Sequence, residues 1–119
     1  MNYKMVHNCF TVADLEKSIE FYKKALGLTE VNRIVADGLI AVFLANGNAV
    51  HQLELLYLEN HPDKYDLGDN EFHLAFTVND FEKSLETHRA MGCVKSENPA
   101  INMYMIADSD GYILEIWGA

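Results

Sequence analysis

Two histidines and two glutamates stand at matching places in this chain. His7 opens the stretch HNCFTVADLEKSIE, and His73 opens a near copy, HLAFTVNDFEKSLE. Laid over each other without a gap, the two agree at nine of fourteen positions, which marks a duplicated supersecondary unit. Each half then carries a carboxylate inside an apolar strand: Glu54 in LEL and Glu115 in LEI. A strand histidine taken singly is usually a hydrogen-bonded core residue. A carboxylate among apolar neighbours is harder to place, because its charge needs a partner. A divalent cation would supply one, and imidazole with carboxylate suits Zn, Ni, Co, Fe or Mn. Four such ligands on an octahedral ion leave room for water or substrate.

The elements that must position these residues repeat in order. Tyr3 to Val12 reads as a strand and Asp14 starts a helix whose apolar stripe is Leu15, Ile19, Tyr22 and Leu26, ending at Gly27. Strands follow at Thr29 to Val35, Leu39 to Ala45 and Val50 to Leu58, separated by Asp37-Gly38 and Asn46-Gly47-Asn48. The second half runs strand Glu71 to Val78, helix Asp80 to Met91, a weak strand near Cys93, and strands Ile101 to Ala107 and Tyr112 to Trp117, with a turn at Ser109 to Gly111. The expectation is one domain over 1–119: module 1 at 1–58, a linker at 59–70 and module 2 at 71–119. Strand alternation puts His7, Cys9 and Thr11 on one face, and Phe10 and Val12 on the face that meets the helices. His73, Ala75 and Thr77 repeat that face. Gln52, Glu54, Leu56 and Leu58 share a face of the fourth strand, as do Ile113, Glu115 and Trp117 in the last.

A chain of 119 residues, half of them apolar, can bury one core. A formal charge of −9 disfavours nucleic acid or an anionic membrane as partner. The apolar run Leu39 to Ala45 is too short to span a bilayer, and the start lacks a secretory pattern, so a cytoplasmic protein is expected. Cys9 and Cys93 form neither a disulfide framework nor a zinc knuckle. Cys9 reads as a small buried residue. His51 is read as a strand residue, His61 as a loop residue before Pro62, and His88 as a helix C-terminal residue favoured by the dipole. Arg33, Lys64 and Lys95 are surface residues by default, with an anion-binding role as the alternative.

With these residues in view, the chain resembles the vicinal oxygen chelate superfamily, and within it the glyoxalase I (lactoylglutathione lyase) family in its compact bacterial form. The resemblance rests on HNCFTVADLEKSIEFYKKALGL, LELLYL, the linker DKYDLG, HLAFTV and the terminal DSDGYILEI. It implies an α+β fold in which two βαβββ modules form an open mixed-sheet barrel around a metal. It implies His7, Glu54, His73 and Glu115 as ligands, nickel or cobalt as the favoured ion with zinc possible, and a homodimer. The implied reaction isomerises the hemithioacetal of methylglyoxal and a thiol to the S-lactoyl thioester. A carboxylate, Glu115 first and Glu54 second, would take a proton beside a carbonyl, and the enediolate calls for a Lewis acid. Thr11, Asn60 and Trp117 would lie on the substrate side. Thr11 stands where the family carries an arginine for the glutathione carboxylates, which points to weak glutathione binding or another low-molecular-weight thiol.

Two other readings compete. Acyl-CoA epimerisation, as in methylmalonyl-CoA epimerase of the same superfamily, makes the same proton transfer on a metal, but the acidic chain suits a polyphosphate ligand poorly. A metal-free binding protein like the bleomycin-resistance proteins would not need four ligands.

Overall fold

The computed structural model describes residues 1–47 and 50–119. The chain divides into two compact units, Met1–Tyr65 and Asp66–Ala119, each with the order β-α-β-β-β. The α+β class with two βαβββ modules is therefore observed. The division falls between residues 65 and 66.

In the first unit β1 (His7–Thr11), α1 (Leu15–Leu26), β2 (Thr29–Ala36), β3 (Leu39–Ala45) and β4 (Gln52–Leu58) follow one another. The sheet order is β1-β4-β3-β2, with β1 parallel to β4 and the other neighbours antiparallel. The helix begins where Asp14 accepts the Lys17 amide at 3.1 Å and ends at Gly27, whose φ of 66° is the left-handed cap glycine adopts without strain. Leu15, Ser18 and Tyr22 are its buried residues. Phe10, Val42, Leu44 and Leu55 from the strands are buried too, as is Val12 just after β1. The strand expected from Tyr3 starts only at His7, because β1 has one neighbour and that neighbour begins at Gln52. Upstream of His7, the Gln52 amide still reaches the Val6 carbonyl at 2.9 Å, while Tyr3 stays exposed. The expected turn at Asn46-Gly47-Asn48 runs beyond the described residues at its third position.

In the second unit β5 (His73–Val78), α2 (Phe81–Met91), β6 (Val94–Asn98), β7 (Met103–Ala107) and β8 (Ile113–Gly118) give the order β5-β8-β7-β6, again with only the β5–β8 pair parallel. Asp80 and Gly92 repeat the caps of Asp14 and Gly27. The sequence expectation of a strand from Ile101 is corrected: Ile101 ends a short 3-10 turn, Pro99–Ile101, and Asn102 follows at a φ of 54°. Proline brings no amide hydrogen to a sheet ladder, so β7 starts after the turn. The Asp108 carboxylate accepts the amides of Asp110 and Tyr112 at 3.0 and 2.9 Å, which closes the turn expected before β8.

His88 lies in the last turn of α2, as read from the sequence, but its side chain faces the interior. It is buried, and its Nδ1 lies 2.7 Å from the Tyr104 hydroxyl, which also meets Ser84 Oγ at 2.6 Å. No helix among the described residues is long and apolar enough to cross a membrane.

Candidate metal centre

In each unit one parallel strand pair sets the histidine and the glutamate side by side. Cys9 is in register with Glu54, so His7 lies two residues upstream of that pair and on the same face. Ala75 is in register with Glu115, and His73 lies two residues upstream of it. The outcome is the same in both: His7 Nε2 is 3.2 Å from Glu54 Oε1, and His73 Nε2 is 3.2 Å from Glu115 Oε2. Both imidazoles keep 40% of their side-chain surface open, whereas Glu54 keeps 15% and Glu115 10%. The imidazoles are therefore partly open to solvent, while the carboxylates are largely withdrawn from it.

The hydrogen bonding around His73 constrains what can lie between the two side chains. Its Nδ1 is 3.0 Å from the Glu71 carbonyl, an oxygen that can only accept, so Nδ1 carries a proton. A neutral ring then turns the Nε2 lone pair toward a carboxylate oxygen. Two lone pairs face each other stably only across a cation, either a second ring proton or a metal ion. A backbone carbonyl on Nδ1 is also the usual way a ligating imidazole is held in its tautomer. Two donors each about 2.1 Å from an ion, at right angles to one another, stand about 3 Å apart. Both pairs have this spacing, and their nitrogen and oxygen donors fit a divalent transition ion. Within a unit the expected set of four is present as one pair. Among the described residues no group of three or more His, Cys, Asp or Glu side chains is placed to hold a metal.

The surroundings of the two pairs differ. The His7 ring meets Phe43 edge-on at 5.3 Å between centroids, and Phe43 is the cross-strand partner of Glu54. Cys9, expected as a small buried residue, is exposed and hydrogen-bonds Glu54. Partial burial of the sulfur, the Glu54 charge and that hydrogen bond push its thiol up to about 11, so it stays protonated at neutral pH. In the second unit Trp117 Nε1 donates to Glu115 Oε1 at 2.9 Å. Alternation along β8 places Trp117 beside Glu115, but the sequence does not disclose that the indole turns its N–H onto the carboxylate.

The remaining site candidates lie apart from this chemistry or beside it without a recorded ligand role. Thr11 ends β1, half-buried, in register with Leu56. Asn60 is exposed in the turn after β4. His51 lies just before β4 rather than in it and pairs with Asn8 Oδ1 at 2.8 Å. The chain has two arginines, and surface carboxylates engage both. Arg33 donates to Glu30 at 2.9 and 2.8 Å, and Arg89 Nε donates to Glu97 at 3.1 Å.

Known proteins are similar to this chain over most of its length. A probable lactoylglutathione lyase of Vibrio cholerae is 28% identical over 97% of this chain and 90% of its own. The lactoylglutathione lyase of Haemophilus influenzae is 29% identical over 94% and 90%. Among solved structures, the trypanothione-dependent glyoxalase I of Leishmania major superposes with a TM-score of 0.88 at 27% identity, covering 98% of this chain and 87% of that one. The fold is thus the vicinal oxygen chelate fold. A family model matches residues 4–116. The chain belongs to the glyoxalase/bleomycin resistance protein/dioxygenase superfamily.

Proposed function

We propose that this protein is a metal-dependent glyoxalase I, which isomerises the hemithioacetal of methylglyoxal and a low-molecular-weight thiol to the S-lactoyl thioester. The observation that carries the reading is the matched pair of His–Glu contacts, 3.2 Å in each module, on equivalent parallel strands. His7, Glu54, His73 and Glu115 would be the ligands of a divalent ion, with nickel or cobalt favoured. When bound, the ion supplies a Lewis acid for the two substrate oxygens as negative charge collects on them.

The chain's own residues supply the proton chemistry. The hydrogen to be moved sits on carbon beside a carbonyl, where a positioned carboxylate can take it. Glu115 is 8% exposed, and its Oε1 is held by Trp117, so Oε2, once released from the ion, would take the proton. Returning the same proton to the neighbouring carbon completes the isomerisation with no net change in protons or electrons. Glu54 is the second candidate for this role. Its cross-strand neighbour is the apolar Phe43.

With both arginines engaged by surface carboxylates, the sequence expectation of weak glutathione binding is retained in this reading. The test is isomerisation of preformed methylglyoxal–thiol hemithioacetals, made with glutathione and with other small thiols. Metal-stripped protein is assayed with Ni, Co, Zn, Mn or Mg restored singly. Metal-dependent thioester formation is expected, and stoichiometric metal binding without turnover of any hemithioacetal would overturn the reading.

A further inference from the structure

The two modules repeat their histidine and glutamate but not what touches the glutamate. Two residues past Glu54 in its strand stands Leu56, which has no donor; two residues past Glu115 stands Trp117. Two residues past His7 stands Cys9, which bonds Glu54; two past His73 stands Ala75, which cannot. Among the described residues, Glu115 therefore accepts from an indole and Glu54 from a thiol, and these donors are unlike. A thiol is a weak and easily displaced donor, whereas an indole N–H donates only, and its bond to an ionised carboxylate is charge-assisted.

We propose that Trp117 is a positioning residue that holds Glu115 by Oε1 and leaves Oε2, beside His73 Nε2, as the oxygen offered to the metal. The distances divide the carboxylate in this way: 2.9 Å from the indole to Oε1 and 3.2 Å from His73 to Oε2. The tether is itself anchored, since the Trp117 backbone pairs with Thr77 on one side and Met103 on the other. Glu54 has no such tether, so the duplicated site is unequal in its two carboxylates. The metal part of this inference rests on the reading above; the tether does not.

Trp117 is the sole tryptophan, so a 15N-labelled sample shows a single indole N–H resonance, which reports the tether directly. In metal-free protein, Glu115→Ala is expected to move that resonance toward the position of a free indole, and Glu54→Ala to leave it in place. Trp117→Phe keeps a ring and loses the donor; it is expected to weaken zinc affinity, measured by chelator competition, about tenfold or more, as loss of a partner behind a ligand does. Its thermal midpoint should stay near that of the parent. Trp117→Leu, which copies Leu56, gives the same comparison if the phenylalanine variant folds poorly. An indole resonance indifferent to Glu115→Ala, or unchanged zinc affinity in folded Trp117 variants, overturns the proposal. Parent protein that binds none of nickel, cobalt or zinc refutes the metal reading and the role toward it, while the resonance still decides whether the tether exists.

Discussion

His88 Nδ1 lies 2.7 Å from the Tyr104 hydroxyl in the interior of the second unit, with 2% of His88 and none of Tyr104 exposed. Ser84 shares the same hydroxyl from one turn earlier on α2, and the Phe81 ring meets Tyr104 edge-on at 5.3 Å. This contact joins α2 to the central strand β7, and so lies behind the sheet whose other face carries His73 and Glu115. Tyr104→Phe removes the oxygen that both helix side chains use. It should destabilise the fold by about 1–3 kcal/mol, the range for depriving a buried polar group of its partner, seen as a lower urea midpoint.

The same hydroxyl predicts an alkaline limb. Burial raises its pKa above the ordinary 10, against a smaller lowering by the Ser84 hydrogen bond. The folded state thus holds this proton more tightly than the unfolded chain does. Stability is fully present below pH 10 and declines as pH rises toward the folded value. Urea unfolding between pH 8 and 11 should show the decline, and Tyr104→Phe should flatten it.

Glu115→Gln preserves the shape of the side chain and removes its basicity. Turnover of the hemithioacetal should fall about 10²- to 10⁴-fold, the usual contribution of a positioned base, with the circular dichroism spectrum unchanged. Turnover close to that of the parent would shift the base to Glu54.

His7→Ala and His73→Ala each remove one ring nitrogen from a 3.2 Å pair. Metal retained after dialysis, measured by elemental analysis, should drop in both. Unchanged metal content in either would remove that histidine from the ligand set.

Asn70 ties the chain before β5 to the turn before β8: its side-chain amide donates to the Gly111 carbonyl at 2.8 Å, and its own φ is 54°. Asn70→Ala loses the hydrogen bond and puts a Cβ residue into the left-handed region without the local compensation asparagine can make, at a cost of about 2 kcal/mol. Asn70→Gly loses only the hydrogen bond and should cost about half as much. Thermal melts of the two variants separate the contributions.

The sequence by itself carried the duplication, the element order, both helix caps and the four residues of the two pairs. These are local or periodic properties: a two-residue alternation assigns a strand face, and aspartate and glycine at the right offsets start and stop a helix. Strand ends were less legible, as at Tyr3 and Ile101, because a strand extends only as far as its neighbour does. Tertiary structure alone decided which side chain meets which. Parallel pairing in a common register brings His7 to Glu54 and His73 to Glu115 across more than forty residues of chain. Side-chain direction turns the Trp117 indole onto Glu115 and buries His88 against Tyr104. No spacing rule reaches such contacts, because they depend on packing between strands and helices distant in sequence.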